Sequence, residues 1–201
     1  MVKDLIIRPY NSSDEENWLK CRLVSFHDSA YYDDVYTKKP IFNNLSLELV
    51  AELNGKIVGI LDLEKDNKDG SICYCKSGIG AMIWTIGVLP EYRRFGIASK
   101  LVLKAMDWAK SKDVNFIEAW TRDDKWVLDW YESLGFATFH SYWHIYFKGD
   151  NMSLFESNDK DIAPQSVFAH SDKDPRALDK KIDRFYNLLR LINKITVQYK
   201  R

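Results

Sequence analysis

Several things are scarce in this chain of 201 residues, and each scarcity excludes something. Three cysteines, an odd number, cannot form the paired framework of a disulfide scaffold. No apolar run approaches the roughly 18 residues that a membrane span requires. The opening residues Met1, Val2, Lys3 and Asp4 bring charge at once, without the apolar stretch of a signal peptide. A soluble, cytoplasmic protein of a reducing compartment, without a membrane partner, is the expectation. Net charge is also missing: 29 Lys+Arg balance 29 Asp+Glu, which argues against wholesale nucleic-acid binding. Four histidines show no metal-ligand spacing, and Cys73 and Cys75, one residue apart without a second pair, read as ordinary thiols rather than a zinc site. Hydrophobic residues are plentiful at 46% and aromatics at 14%, which excludes global disorder. A chain of this length buries about 70% of its unfolded surface, enough for one domain with a small appendage.

Residues 5–10 read as a short strand stopped near Pro9. Asn11, Ser12, Ser13 and Asp14 offer N-caps for a helix over 14–26. Residues 28–46 mix tyrosines with polar residues and read as helix and loop. Strand-like runs at 47–53 and 56–64 flank Asn54 and Gly55, a hairpin signal because both residues accept positive φ. A polar loop leads to an apolar run at 81–88 that ends before Pro90. Helical spacing over 99–111 puts Leu101, Ala105, Trp108 and Ala109 on one face. A strand at 114–120, a helix at 123–134 stopped by Gly135 and an alternating strand at 137–147 follow. Residues 165–170 suggest one more strand. Asp174 and Pro175 then open a final helix carrying Ile182, Phe185, Leu189, Ile192 and Tyr199 at three-four spacing. The order is a mixed α/β plan, with antiparallel hairpins early and a parallel pair across the 99–111 helix.

The segment from Thr85 to Leu101 is the richest in chemistry. A buried strand ends at Pro90, a short basic turn with Arg93, Arg94, Phe95 and Gly96 follows, and a helix opens at Ile97, Ala98 and Ser99. The first four N–H groups of a helix lack intrahelical partners, and the helix dipole adds positive character there. Small Gly96 and Ala98 admit close approach, so the turn reads either as a phosphate or pyrophosphate cradle or as a plain strand-to-helix turn with two solvated arginines. It is neither a G-x-G-x-x-G fingerprint nor a P-loop.

Val88-x-Pro90 followed by Arg93-x-x-Gly96-x-Ala98 resembles the acetyl-CoA signature of the GNAT superfamily of N-acetyltransferases, Gln/Arg-x-x-Gly-x-Gly/Ala. Downstream, Tyr131-Glu132-Ser133-Leu134-Gly135-Phe136 resembles that family's Tyr-Glu-x-x-Gly-Phe ending. The two motifs stand in order, about 35 residues apart, with a strand between them.

The resemblance implies a largely antiparallel central sheet flanked by helices and splayed between strands 81–88 and 114–120. It implies that the backbone of Ile86, Gly87 and Val88 meets the pantetheine of acetyl-CoA. Arg93 supplies charge, and the N–H groups of Arg94, Phe95, Gly96, Ile97, Ala98 and Ser99 hold the pyrophosphate. Asp124 stands where the family usually has an asparagine that bonds the cofactor, and a carboxylate cannot donate as an amide does. Tyr131 is implied as the acid that protonates the leaving thiolate.

No carboxylate lies between Gly78 and Pro90, so the base falls to Glu64, with Asp62, His144 or water as alternatives. Tyr31, Tyr32, Trp84, Trp120 and His144 are candidates for the acceptor pocket, the aromatics as a wall suited to a cation or a flat ligand. The chain thus reads as an N-acetyltransferase domain over 1–150 and an extension over 151–201, whose basic amphipathic helix packs on the domain or on a second copy in a homodimer. The implied reaction is direct attack of a small-molecule or peptide amine on the thioester, with no metal. A non-catalytic acyl-CoA-binding sensor on the same fold is the alternative.

Overall fold

The computed structural model describes residues 4–27, 29, 35–68, 70–122, 124–146, 152–155, 168–171 and 181–192. Strand β1 (Leu5–Pro9) leads into helix α1 (Glu15–Phe26). The turn between them is closed by reciprocal bonds: Ser13 N–H donates to Asn11 Oδ1 at 3.0 Å, and Asn11 N–H to Asp14 Oδ2 at 3.0 Å. Strands β2 (Ser46–Leu53) and β3 (Lys56–Lys65) meet at Asn54 and Gly55, whose φ of 51° and 76° give the two-residue turn expected there. Then come β4 (Gly80–Val88), α2 (Ile97–Ser111), β5 (Phe116–Arg122), α3 (Lys125–Ser133) and β6 (Ala137–Tyr146). The order ends with β7 (Met152–Phe155), β8 (Phe168–Ser171) and β9 (Lys181–Ile192).

One sheet runs β1-β2-β3-β4-β5-β9-β6, while β7 and β8 pair separately. Among the described residues, only β4 and β5 pair in parallel, as the α2 crossover between them requires. α1 covers one face: a Cβ on Gly87 of β4 would meet Ser25 and Phe26. α2 covers the other: a Cβ on Gly59 of β3 would meet Ile97. Val50, Val58, Ile60, Leu61 and Leu63 of the central strands pack with Trp18 of α1 and with Leu101, Val102 and Ala105 of α2 in one core. Among the described residues, no helix is long and apolar enough to cross a membrane.

The C-terminal helix expected from three-four spacing is a strand instead. β9 lies between β5 and β6, antiparallel to both, so residues 181–192 complete the sheet rather than sit outside it. The physical reason is hydrogen bonding. β5 and β6 each present a row of N–H and C=O groups that a helix cannot pair, and one inserted strand pairs both rows. The three-four spacing of Ile182, Phe185, Leu189 and Ile192 is a local pattern and carries no information about those two distant rows. The strand expected at 165–170 is present as β8.

Candidate active site

The ladder between β4 and β5 is short. It pairs Gly80, Ala81, Met82 and Ile83 with Phe116, Ile117, Glu118 and Ala119, and stops. Beyond it, Thr85, Ile86, Gly87 and Val88 pair with β3 alone, and Trp120, Thr121 and Arg122 with β9 alone. The strands part at Trp84, which the β3–β4 register skips: Asp62 faces Thr85 and the next residue, Leu63, faces Ile83. An extra residue of this kind bends a strand and raises its twist, which carries the end of β4 away from β5. Alternate residues past the bulge turn their N–H and C=O toward a strand that is not there, so an extended ligand can take its place.

α2 begins beyond the end of β4. Gly96, at φ 75°, precedes its first turn, and a Cβ there would meet nothing within 4 Å. Ile97 is buried, while Arg94, Phe95 and Gly96 are exposed. Gly59 lets the helix start so near the sheet, since a Cβ there would lie 3.1 Å from Ile97 Cγ2 and 3.3 Å from Ala51 Cβ. The Arg93 guanidinium is engaged inward: Nε donates to the Val88 carbonyl at 3.1 Å and Nη2 to the Ser25 carbonyl at 2.9 Å. Its side chain therefore ties the end of β4 to α1, and the Val88 carbonyl already accepts a bond. Gly87 is small because Ser25 Cβ lies 3.0 Å from where its Cβ would be. Packing against α1 therefore accounts for a glycine here, whatever its backbone meets.

α3 reaches the same place. Trp130 Nε1 donates to Ser99 Oγ at 2.9 Å, linking α3 to the first turn of α2. The helix ends in a Schellman motif: Gly135 N–H bonds the Glu132 carbonyl at 2.8 Å, and Phe136 N–H the Tyr131 carbonyl at 3.1 Å. Gly135, at φ 91°, makes that turn, which folds Phe136 back onto the Tyr131 ring at 5.1 Å. Trp130 lies 4.5 Å from the same ring. Tyr131 is 3% exposed. Burial pushes its phenol well above the ordinary value, so it stays neutral and keeps its proton.

Glu64 is buried, and three donors surround its carboxylate. Asn44 N–H (3.1 Å) and Nδ2 (2.8 Å) reach Oε1, and Trp84 Nε1 reaches Oε2 at 2.8 Å. Trp84 itself is 52% exposed, so Glu64 fixes the orientation of an open indole at the parting of the strands. Asp62, opposite Thr85, is 1% exposed, and neither carboxylate oxygen makes a well-angled hydrogen bond. Lys39 Nζ lies 3.2 Å from its Oδ1, close enough to attract but off-angle, and also pairs with Glu48. The Lys39 ammonium sits about 5 Å from the faces of Tyr10, Trp18 and Phe42. Burial pushes the Asp62 carboxyl up to about 6, with Lys39 holding it down in part.

Among the other candidates, Trp120 stands on β5 one residue past the ladder. Asp124 begins α3 through its backbone, its carbonyl accepting from Val127 and Leu128 N–H, while its side chain makes no cap. His144 is a β6 residue, opposite Arg184 of β9 in register. Tyr31 and Tyr32 lie outside the described residues. Sequence reasoning missed Lys39, Gly59 and Tyr74. Each has its place through partners distant in sequence, so no local pattern marks it.

Comparison with known proteins agrees with this geometry. The model of the acetyltransferase (GNAT) family matches residues 10–136. An uncharacterized N-acetyltransferase of Methanocaldococcus jannaschii is 27% identical over 148 residues, 68% of this chain, and the match spans 62% of that relative's length. An N-acetyltransferase structure from Staphylococcus aureus shares the fold with a TM-score of 0.60 at 16% identity, covering 94% of this chain and 99% of its own. A GNAT family acetyltransferase from Elizabethkingia anophelis with acetyl-CoA bound has a TM-score of 0.56 at 16% identity, covering 95% and 99%.

Proposed function

The chain belongs to the GNAT acetyltransferase family, and from that premise we propose that it transfers an acetyl group from acetyl-CoA directly to the amine of a small molecule or peptide. The observation that carries this reading is the parting of β4 from β5 at Trp84, with the first turn of α2 beyond one side and the Tyr131 phenol held by α3. The residues fit the donor. Thr85, Ile86 and Gly87 offer strand backbone, and the open space over Gly96 with the N–H groups of Ile97, Ala98 and Ser99 suits a pyrophosphate. Acetyl-CoA supplies an acetyl group already activated as a thioester.

The chain's own residues orient, exclude water and manage protons. Tyr131 holds its proton on Oη in an apolar setting, ready for a sulfur that gains charge. Trp84, fixed by Glu64, stands at the opening with its indole half exposed. Glu64 thus acts as a positioning residue, since donors already occupy both its oxygens. An alkylamine of pKa about 10.4 is less than about one part in 1,000 free base at pH 7, so the attacking amine first gives up a proton, with water as the acceptor. Much of the rate comes from alignment of amine and thioester.

The test is amine-dependent release of the CoA thiol, followed with a thiol reagent for wild type and Tyr131→Phe. The variant is expected to keep its acetyl-CoA affinity and lose about 10²-fold or more in kcat. An unchanged kcat removes Tyr131 from the chemistry. Acetyl-CoA binding without thiol release across a broad amine panel makes the protein an acyl-CoA-binding module instead.

A further inference from the structure

The loop between β3 and β4, residues 66–79, carries a side chain that neither motif uses. Buried Asp66 organises it from one end, accepting from the N–H groups of Ile72 (2.6 Å), Cys73 (3.2 Å) and Gly80 (3.0 Å) and from Ser71 Oγ (3.0 Å). Glu118 of β5, fully buried, organises it from the other, accepting from the N–H groups of Tyr74 (2.8 Å) and Cys75 (3.1 Å). Two buried carboxylates, each gripping successive backbone amides, hold residues 71–75 in a fixed shape.

That shape presents Tyr74. Its ring stacks on His140 of β6 at 4.9 Å and 13°, and meets Trp120 edge-on at 6.3 Å and Phe139 at 6.5 Å. Trp120 and His140 flank the same β9 position, Leu188, in register, so Tyr74 spans the sheet from β5 to β6. The register skips Phe139, another extra residue, which turns it toward the same cluster. Tyr74 is 44% exposed and Phe139 48%, an open aromatic wall. The wall starts at Trp120, the first β5 residue past the ladder with β4, so it is continuous with the opening where the amine reacts.

We infer that Tyr74 is an acceptor-specificity residue, and that the wall it forms with Phe139 and Trp120 selects amines carrying an aromatic ring. This rests on the acetyl-transfer reading for its location, but ring selection can be measured without turnover. With CoA saturating, so that no acetyl group is present, calorimetry compares 2-phenylethylamine and 3-phenylpropylamine with their cyclohexyl counterparts. Each phenyl amine is expected to bind about 2- to 12-fold more tightly than its saturated partner, the range of one aromatic contact. Tyr74→Leu, which keeps bulk without a ring, and Tyr74→Ala should each lower that ratio with CoA affinity unchanged. The bond from residue 74 to Glu118 is made by the backbone and survives both substitutions. Equal binding of phenyl and cyclohexyl amines by wild type, no detectable binding of either at millimolar concentration, or a ratio preserved in both variants would overturn the inference. Absence of thiol release from acetyl-CoA would instead count against the transferase reading, whatever the ratio.

Discussion

Gly59 sits on β3, far in sequence from the motif it serves, and its substitution tests how the cradle is built. A Cβ at this position would lie 3.1 Å from Ile97 Cγ2, 3.3 Å from Ala51 Cβ and 3.4 Å from the Gly87 carbonyl oxygen. The first two distances are shorter than comfortable van der Waals contact, and the third is at its limit. Ala51 and Gly87 belong to neighbouring strands held by ladders, so the element with freedom to move is the first turn of α2. Overpacking of a close-packed core by one methyl costs about 1–3 kcal/mol. For a chain of this length that lowers Tm by about 2–12 °C. The same displacement moves the N–H groups of Ile97, Ala98 and Ser99, so Gly59→Ala should also weaken acetyl-CoA binding, measured by calorimetry at a temperature where the variant is folded. Gly55→Ala is the control. Its φ of 76° carries strain of about 1–2 kcal/mol, but a Cβ there meets nothing within 4 Å, and acetyl-CoA affinity should not change. Gly59→Ala with a Tm within 1 °C of wild type and an unchanged Kd would refute the claim that Ile97 seats the helix against this glycine.

Two further predictions concern residues near the site. Asp62 has its carboxyl raised from the ordinary 3.8 to about 6 by burial, so the folded state holds its proton more tightly than the unfolded state. Its contribution is present below about pH 4 and is lost as pH rises toward 6, a change of about 3 kcal/mol. The stability of wild type minus that of Asp62→Asn, by denaturant titration, should therefore fall between pH 4 and 6.5; a flat difference would contradict the burial argument. Arg93→Met removes the bonds to the Val88 and Ser25 carbonyls and should cost about 1.5–3 kcal/mol. If Arg93 instead contacts the donor's phosphates, acetyl-CoA affinity will fall steeply while Tm hardly moves.

Local physics made much of this molecule legible in its sequence. Asn54 and Gly55 marked a hairpin because a two-residue turn demands positive φ, and both residues have it. Gly135 and Phe136 marked the end of α3 because a Schellman motif wants glycine followed by an apolar residue, and Phe136 returns to Tyr131 as that motif dictates. What failed depended on distant partners. Residues 181–192 carry helical spacing yet form β9, because the open edges of β5 and β6 outweigh local preference. The bond from the Arg93 guanidinium to the Ser25 carbonyl, 68 positions away, was likewise beyond any local pattern. Nothing in the sequence marks Tyr74; Glu118, 44 positions on, bonds its N–H, and its ring meets Trp120.

The central claim is that the opened end of β4 and the first turn of α2 hold acetyl-CoA, and thermal unfolding with acetyl-CoA, CoA and ATP titrated separately tests it most directly. Acetyl-CoA at 100 times its Kd should add about 2.7 kcal/mol of stability, with CoA similar and ATP far weaker. Gly96→Glu, which places a charged side chain in the open space over the turn, should abolish the acetyl-CoA shift. No shift with either CoA species, an equal shift with ATP, or a full shift in Gly96→Glu would contradict the assignment of this turn as the cradle.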